Sequence, residues 1–219
     1  MEDNKLYAII AILIIILIFV ILLLSSSDIN GAVVSDTVLD NGWYEDGEER
    51  FFDSRLLGLE KQISLTYRLD NHNFPSFLTV NTYKTVFMMN EKDLFEKTVE
   101  AIENSMKEKK VVLDNQSAKN GYRVLENKHK TMYIVYNGTK LSGNFEEDIR
   151  VIGETWNCGE SGISVIAVGY SQITNNSNKN TSHWAKIIKD QSNTFSFYSK
   201  NNNYEFLGKD GLIFNIECH

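Results

Sequence analysis

The chain has 219 residues, a formal net charge of −7 at pH 7 and a pI near 5.2. This acidic balance argues against a nucleic-acid partner, because binding to phosphates requires a basic surface. About 195 residues follow the apolar segment near the N-terminus, which is enough for one domain with its own hydrophobic core.

The first feature along the chain is a long apolar run, KLYAIIAILIIILIFVILLLSSS, over residues 5–27. Residues 6–24 contain no charge, proline or glycine. As a helix they span about 28 Å, close to the roughly 30 Å hydrocarbon core of a bilayer. A secretory signal core is shorter, about 7–15 residues. The run therefore predicts a retained signal anchor, a transmembrane helix over 6–24 that contacts membrane lipid. Cleavage after Ser26 or Ser27 is the alternative.

The residues on either side of this run predict its orientation. Lys5 lies before it, and no Lys or Arg follows it until Arg50. Because basic flanking residues stay on the cytoplasmic side, residues 1–5 are predicted to be a cytoplasmic tail. The protein is thus predicted to be a single-pass protein of the cell membrane, with its C-terminal domain outside.

Residues 25–50 are predicted to be an acidic spacer, since Ser, Gly and Asp dominate there and the main apolar group is the pair Trp43 and Tyr44. An extracytoplasmic α+β domain is predicted to follow over 51–219.

The first half of this domain has clear local patterns. Alternation in QISLTYRL (62–69) predicts a half-buried strand, and the β-branched and aromatic run 77–89 predicts a second strand that completes a hairpin. A helix is predicted over 91–109, with Asn90 as its N-cap. Its apolar residues recur at helical spacing and predict one buried stripe, made of Phe95, Val99, Ile102 and Met106.

The patterns in the second half predict four short strands, one short helix and a last strand. Four strands are predicted to form an antiparallel meander, namely GYRVLE, TMYIVYNG, IRVIGETWN and ISVIAVGYSQI. SHWAKIIKD predicts a short helix capped by Ser182, with Trp184, Ile187 and Ile188 facing inward. GLIFNIECH predicts a last strand. The expected fold is a largely antiparallel sheet packed against one long and one short helix.

This order of elements over roughly residues 60–190 resembles the PsbP-like α/β/α fold. The whole layout is also similar to the small single-pass surface proteins of methanogenic archaea. The resemblance implies a location outside the membrane, and it implies no particular chemistry, since a fold does not determine a function.

The loop CGESG, residues 158–162, is similar to the nucleophile loop of trypsin-like proteases, and His72, Asp114 and Ser161 occur in the chain order of that triad. However, Glu replaces the Asp of that loop and no Ala-His motif surrounds His72. The loop is interpreted as a glycine-rich hairpin turn, and no catalytic residue is predicted.

No metal or cofactor site is predicted either. The possible ligands are scattered along the chain without C-x-x-C or H-E-x-x-H spacing and without a calcium loop. They are Cys158, Cys218 and His183, together with His219, His72 and His129.

The two cysteines have another explanation. An even cysteine count outside a membrane favours a disulfide, here between Cys158 and Cys218. Closing that loop is worth about 4 kcal/mol in the chain-entropy model. Two buried thiols are the alternative.

Four Asn-x-Ser/Thr sequences are glycosylation candidates, and all lie in segments predicted to be polar loops or strand ends. They are Asn115, Asn137, Asn175 and Asn180.

Together these patterns predict a membrane-anchored, non-enzymatic module with a binding or structural role toward a protein or cell-surface partner. An enzyme with an unrecognised site is one alternative. A pilin-like filament subunit is another, although DNKLYA offers no Gly or Ala immediately before the apolar run.

Overall fold

The computed structural model describes residues 2–25, 28–39, 42–69, 76–142, 145–172, 183–188 and 211–218. Its helices are α1 Glu2–Ser25, α2 Glu91–Glu108 and α3 His183–Ile188. Its strands are β1 Val33–Val34, β2 Tyr44–Arg55, β3 Glu60–Leu69, β4 Ser76–Thr85, β5 Val111–Val124, β6 Lys130–Ser142, β7 Phe145–Cys158, β8 Ile163–Gln172 and β9 Ile216–Glu217.

Seven of these strands form one antiparallel sheet in the order β2-β3-β4-β8-β7-β6-β5. The predicted hairpin is β3 and β4, and the predicted meander is β5 to β8. Pairing of β4 with β8 joins the two groups, with α2 as the connection between them. The predicted α+β class with a large antiparallel sheet is confirmed.

Each face of the sheet carries its own hydrophobic core. On one face, α2 packs against β-strand residues such as Ile149, Val151 and Ile166. On the other face, α3 and the two ends of the domain cover Ile152, Trp156 and Val165. Side chains that alternate along the central strands β4, β8 and β7 therefore bury both faces, as expected for a sheet between two layers.

The face that α2 buries differs from the predicted stripe. The buried residues are Leu94, Thr98, Ile102 and Met106, whereas Phe95 and Val99 are only partly buried. A close approach to the sheet explains the difference. A Cβ atom at Gly153 would lie 2.6 Å from Ile102 Cδ1 and 2.7 Å from Thr98 Cγ2. The glycine lets these two side chains meet the sheet directly, and Leu94, four residues before Thr98, lies on the same face of the helix.

The two ends of α2 agree more closely with the ends predicted from the sequence. Asn90 Oδ1 accepts a hydrogen bond of 2.9 Å from the Asp93 backbone N–H, which is the predicted N-cap. The helix ends at Glu108, one residue before the predicted end.

The predicted spacer over 25–50 is wrong for most of its length. Ile29, Ala32, Val34 and Trp43 are buried, and β2 already begins at Tyr44. The backbone N–H of Ala32 donates to Thr82 Oγ1 at 2.8 Å, and that of Val34 donates to the Tyr67 hydroxyl at 2.9 Å. Acidic and small residues dominate the composition of this segment and predict a spacer, but its few apolar side chains pack across β3 and β4.

The end of the chain differs from the predicted last strand. Residues 211–219 were expected to form a strand, but Ile213–Asn215 is a 3₁₀ turn and β9 has two residues. β9 pairs with β1 rather than with the large sheet. In α3, the predicted inward residues Trp184, Ile187 and Ile188 are buried, while its predicted cap Ser182 lies outside the described residues.

Residues 6–24 of the N-terminal apolar run lie within α1. Its described large side chains are exposed, from Tyr7 and Ile9 to Val20. In the part of the chain that the structure describes, no helix is both long enough and apolar enough to cross a membrane.

Candidate functional site

Three potential metal-binding or redox side chains meet where β5, β7 and β9 end. They are His129 in the turn between β5 and β6, Cys158 at the end of β7 and Cys218 after β9. The imidazole nitrogen and the two sulfur atoms all lie within 4.8 Å of one another. We call these three residues the Cys-His cluster.

Local turns place two members of the cluster. The turn before β6 closes when the Leu125 N–H donates to His129 O at 3.0 Å, and Lys128 takes a left-handed φ of 65° within it. The side chain of Asn127 accepts from the His129 N–H at 3.1 Å. At Cys158, the Gly162 N–H donates to the Cys158 carbonyl at 2.9 Å and ends the strand in a turn.

Long-range hydrogen bonds bring Cys218 close to His129. The Glu126 N–H donates to Phe214 O at 3.2 Å, and Asn127 Nδ2 donates to Ile216 O at 2.8 Å. The C-terminal segment is therefore held on the β5–β6 turn. As a result, Cys218 Sγ lies 3.2 Å from His129 Nε2.

Both sulfur atoms are shielded from water. Cys158 and Cys218 are buried, and His129 is half-buried. Cys158 Sγ lies 3.7 Å from the Cys218 carbonyl oxygen, toward which its thiol donates. Burial raises the pKa of Cys218 to about 12 and the neighbouring Cys158 thiol adds to that rise, while the indole N–H of Trp156 opposes it. The indole N–H faces Cys218 without reaching hydrogen-bond geometry.

The two cysteines predicted to form a disulfide are thus neighbours, and the structure holds them as two buried thiols. A disulfide requires the sulfur atoms to lie about 2.05 Å apart. The two sulfur atoms lie within 4.8 Å of each other, and the disulfide remains a prediction.

The spacing of these ligands along the chain predicts no metal site, because they are too far apart to form a motif. The strands β6 and β7 lie between His129 and Cys158, and β8 and α3 also lie between His129 and Cys218. Of the other possible ligands, His72 and His219 lie outside the described residues, and His183 begins α3 without a described side chain.

The protease-like triad is not assembled among the described residues. Ser161 lies in the turn between β7 and β8, at the end of the sheet where Cys158 lies. Asp114 is exposed near the other end of the sheet, where it pairs with Asn137. His72 is outside the described residues. The glycine-rich loop is a turn, as interpreted from the sequence.

A second polar group lies on the same face of the sheet as the Cys-His cluster. Arg123 and Glu154 form a buried ion pair, and both are almost completely shielded. Arg123 Nε donates to Glu154 Oε1 at 2.7 Å and Nη2 donates to Oε2, while the Thr131 hydroxyl donates to Oε1. Arg123 Nη1 has no hydrogen-bond partner among the described residues. A bidentate pair of this kind holds β5 to β7 across β6.

A cleft of about 90 Å³ lies on the α2 face, beside the N-terminus of that helix. Two of its polar side chains already bond to the protein. Asn157 Nδ2 donates to Met89 O, and Thr155 Oγ1 donates to Val165 O, each at 2.8 Å. The volume suits a few water molecules of about 30 Å³ each. Pockets for small-molecule ligands are typically about 300–1,000 Å³.

Two glycosylation candidates are described. Asn115 is exposed in β5, within the irregular register between Asp114 and Lys119. Asn137 is exposed in the middle of β6, and its side-chain oxygen accepts from Arg150 Nε at 3.2 Å. Asn175 and Asn180 lie outside the described residues.

Comparisons with protein-family models, with curated proteins and with solved structures found no match to this chain.

Proposed function

We propose that the protein is a single-pass membrane protein, anchored by residues 6–24, whose α+β domain lies outside the cell. In this proposal the domain has a binding or structural role rather than a catalytic one. The same location is implied by the resemblance to small archaeal surface proteins. The observation that carries the proposal is the uncharged run of 19 residues, which lies within one continuous helix next to a folded domain.

The start of the domain supports a close attachment to that helix. α1 ends at Ser25, and Ile29 is already buried in the domain. Lys84 Nζ donates to the Asp28 carbonyl at 2.9 Å, next to the end of β4. At about 3.5 Å per residue, the four residue steps from Ser25 to Ile29 cover at most about 14 Å. The end of the sheet near Thr85 therefore faces the anchor.

Four exposed apolar side chains lie next to one another along the chain or across the turn at this end of the sheet. Phe87 is 85% exposed and Leu56 is 70% exposed, and Val86 and Met88 are also exposed. The 3₁₀ turn Leu56–Gly58 contacts α1. We call Leu56 and Val86–Met88 the apolar tip. An exposed apolar group beside an anchor matches the lipid interface better than it matches water.

The anchor is tested by expressing the full chain in cells and washing the membranes with alkaline carbonate. The full chain should stay in the membrane pellet, because transferring 19 apolar residues out of lipid is unfavourable. A variant lacking 6–24 should appear in the supernatant. As a control, a chain with alternating Leu and Ala over 6–24 should stay in the pellet.

Release of the full chain by carbonate would contradict the anchor. Topology has a separate readout, a peptide tag added after His219. Antibody should reach this tag on intact cells, and a tag that is reached only after lysis would reverse the proposed orientation.

The apolar tip gives a second test in vesicles that contain the full chain. Phe87→Trp should add blue-shifted fluorescence that brominated lipid chains quench, because the indole enters the interface. The matched control is Val112→Trp, since Val112 is 67% exposed at the opposite end of the sheet. Equal quenching of the two added indoles, or none for Phe87→Trp, would show that the tip does not contact lipid.

A further inference from the structure

We propose that the Cys-His cluster is a binding site for Zn²⁺, with the imidazole of His129 and the thiolates of Cys158 and Cys218 as ligands. This function goes beyond membrane attachment, and it does not depend on the side of the membrane that the domain occupies.

The spacing of the three donor atoms suits a single ion. Zinc lies about 2.3 Å from thiolate sulfur and about 2.0–2.1 Å from imidazole nitrogen. Two sulfur ligands of one zinc ion are therefore at most about 4.6 Å apart. In the structure all three donor atoms lie within 4.8 Å of one another, and Cys218 Sγ and His129 Nε2 are 3.2 Å apart. In a tetrahedral site two such sulfur atoms lie about 3.8 Å apart, so binding requires side-chain rotations that draw the donor atoms together around the ion.

The chemistry of the ligands favours zinc among divalent ions. Thiolate and imidazole are the ligands that zinc takes in structural sites, whereas calcium and magnesium select oxygen. Binding releases one proton from each thiol, and two thiolates then balance the charge of the ion. A buried site without residual charge is favourable, because an uncompensated charge is costly away from water. A water molecule or a further side chain completes the tetrahedron.

The position of His129 distinguishes this proposal from a disulfide. A disulfide involves Cys158 and Cys218 alone and leaves the contact between imidazole and Cys218 without a role. The backbone of His129 is fixed by Asn127, whose side-chain nitrogen lies 3.9 Å from Cys218 Sγ. Three segments that are distant along the chain thus place their ligands around one point, as structural zinc sites do.

Zinc binding is measured on the full chain in detergent, reduced and then freed of metal with a chelator. With zinc chloride added, native mass spectrometry should show one zinc ion per chain. Cobalt should give a thiolate-to-metal charge-transfer band and the strong visible bands of tetrahedral coordination. Alkylation of both cysteines in the folded chain should be slower with zinc than with the chelator.

Variants test the ligand set. His129→Gln should weaken zinc affinity at least about 100-fold, since loss of a supporting group alone costs about 10–100-fold. Cys218→Ser should abolish the cobalt charge-transfer band or reduce its intensity by about half. As a control, Asp114→Asn changes a possible ligand that is exposed near the other end of the sheet and should leave zinc affinity unchanged.

The proposal is overturned if the reduced wild-type chain binds no zinc at micromolar free metal. It is also overturned if His129→Gln binds zinc as tightly as the wild type while remaining folded by circular dichroism. If the chain isolated without reductant is 2 Da lighter and the reduced chain binds no zinc, the cysteines form the predicted disulfide instead. The wild-type measurements decide the question even where a variant fails to fold.

Discussion

Arg123→Ala should lower the free energy of unfolding by about 3–5 kcal/mol, because it leaves the Glu154 carboxylate buried without its cationic partner. Arg123 and Glu154 are 1% and 0% exposed, and their two parallel hydrogen bonds connect β5 to β7. Urea unfolding of the full chain in detergent, followed by near-UV circular dichroism, measures the change.

Two further variants test whether the loss of stability arises from burial of the ion pair. Arg50→Ala removes a similar ion pair with Glu45, but the Arg50 side chain is 60% exposed, so its loss should be under about 1 kcal/mol. The double variant Arg123→Met, Glu154→Leu should lose less than Arg123→Ala, since no unpaired charge remains. A loss below about 1 kcal/mol for Arg123→Ala would show that water reaches Glu154.

Leu94→Ala should cost about 2–5 kcal/mol of unfolding free energy, because it removes a fully buried side chain between α2 and the sheet. Leu94 is 1% exposed. The neighbouring Phe95 is only partly buried, so Phe95→Ala should cost less despite the larger side chain removed. The same urea titration measures both variants.

This pair of variants decides which face of α2 packs on the sheet. The apolar spacing alone predicted Phe95 and Val99 on the buried face. A greater loss of unfolding free energy for Phe95→Ala than for Leu94→Ala would indicate that Phe95 and Val99 face the sheet. That result would contradict the structure. The expected order follows from Gly153, which admits Thr98 and Ile102 to close contact.

Local patterns in the sequence were sufficient for β3, β4 and α2 and for the central parts of β6, β7 and β8, whereas β5 begins ten residues before the predicted strand GYRVLE. Strand alternation and helical spacing are properties of neighbouring residues, so they are readable without knowledge of the fold. The N-cap at Asn90 is likewise local, because its partner is three residues away. The α+β class followed from the order of these elements.

Pairing between distant segments was beyond these patterns. β1 and β9 have two residues each and pair across nearly the whole domain, so neither has a readable periodicity. The burial of Ala32 and Val34 likewise depends on hydrogen bonds to Thr82 and Tyr67 on other strands. Without these two hydrogen-bond partners, an acidic segment with few apolar residues has the composition of a spacer.

The sequence by itself determined the apolar run at 6–24, the acidic charge, the main strands and the presence of two cysteines. Only the tertiary structure decided that His129 joins Cys158 and Cys218, and that the turn Leu56–Gly58 contacts α1. The physical reason is the same in both cases. The order of strands in a sheet sets which turns and chain ends become neighbours, and that order arises from long-range pairing rather than from the spacing of residues along the chain.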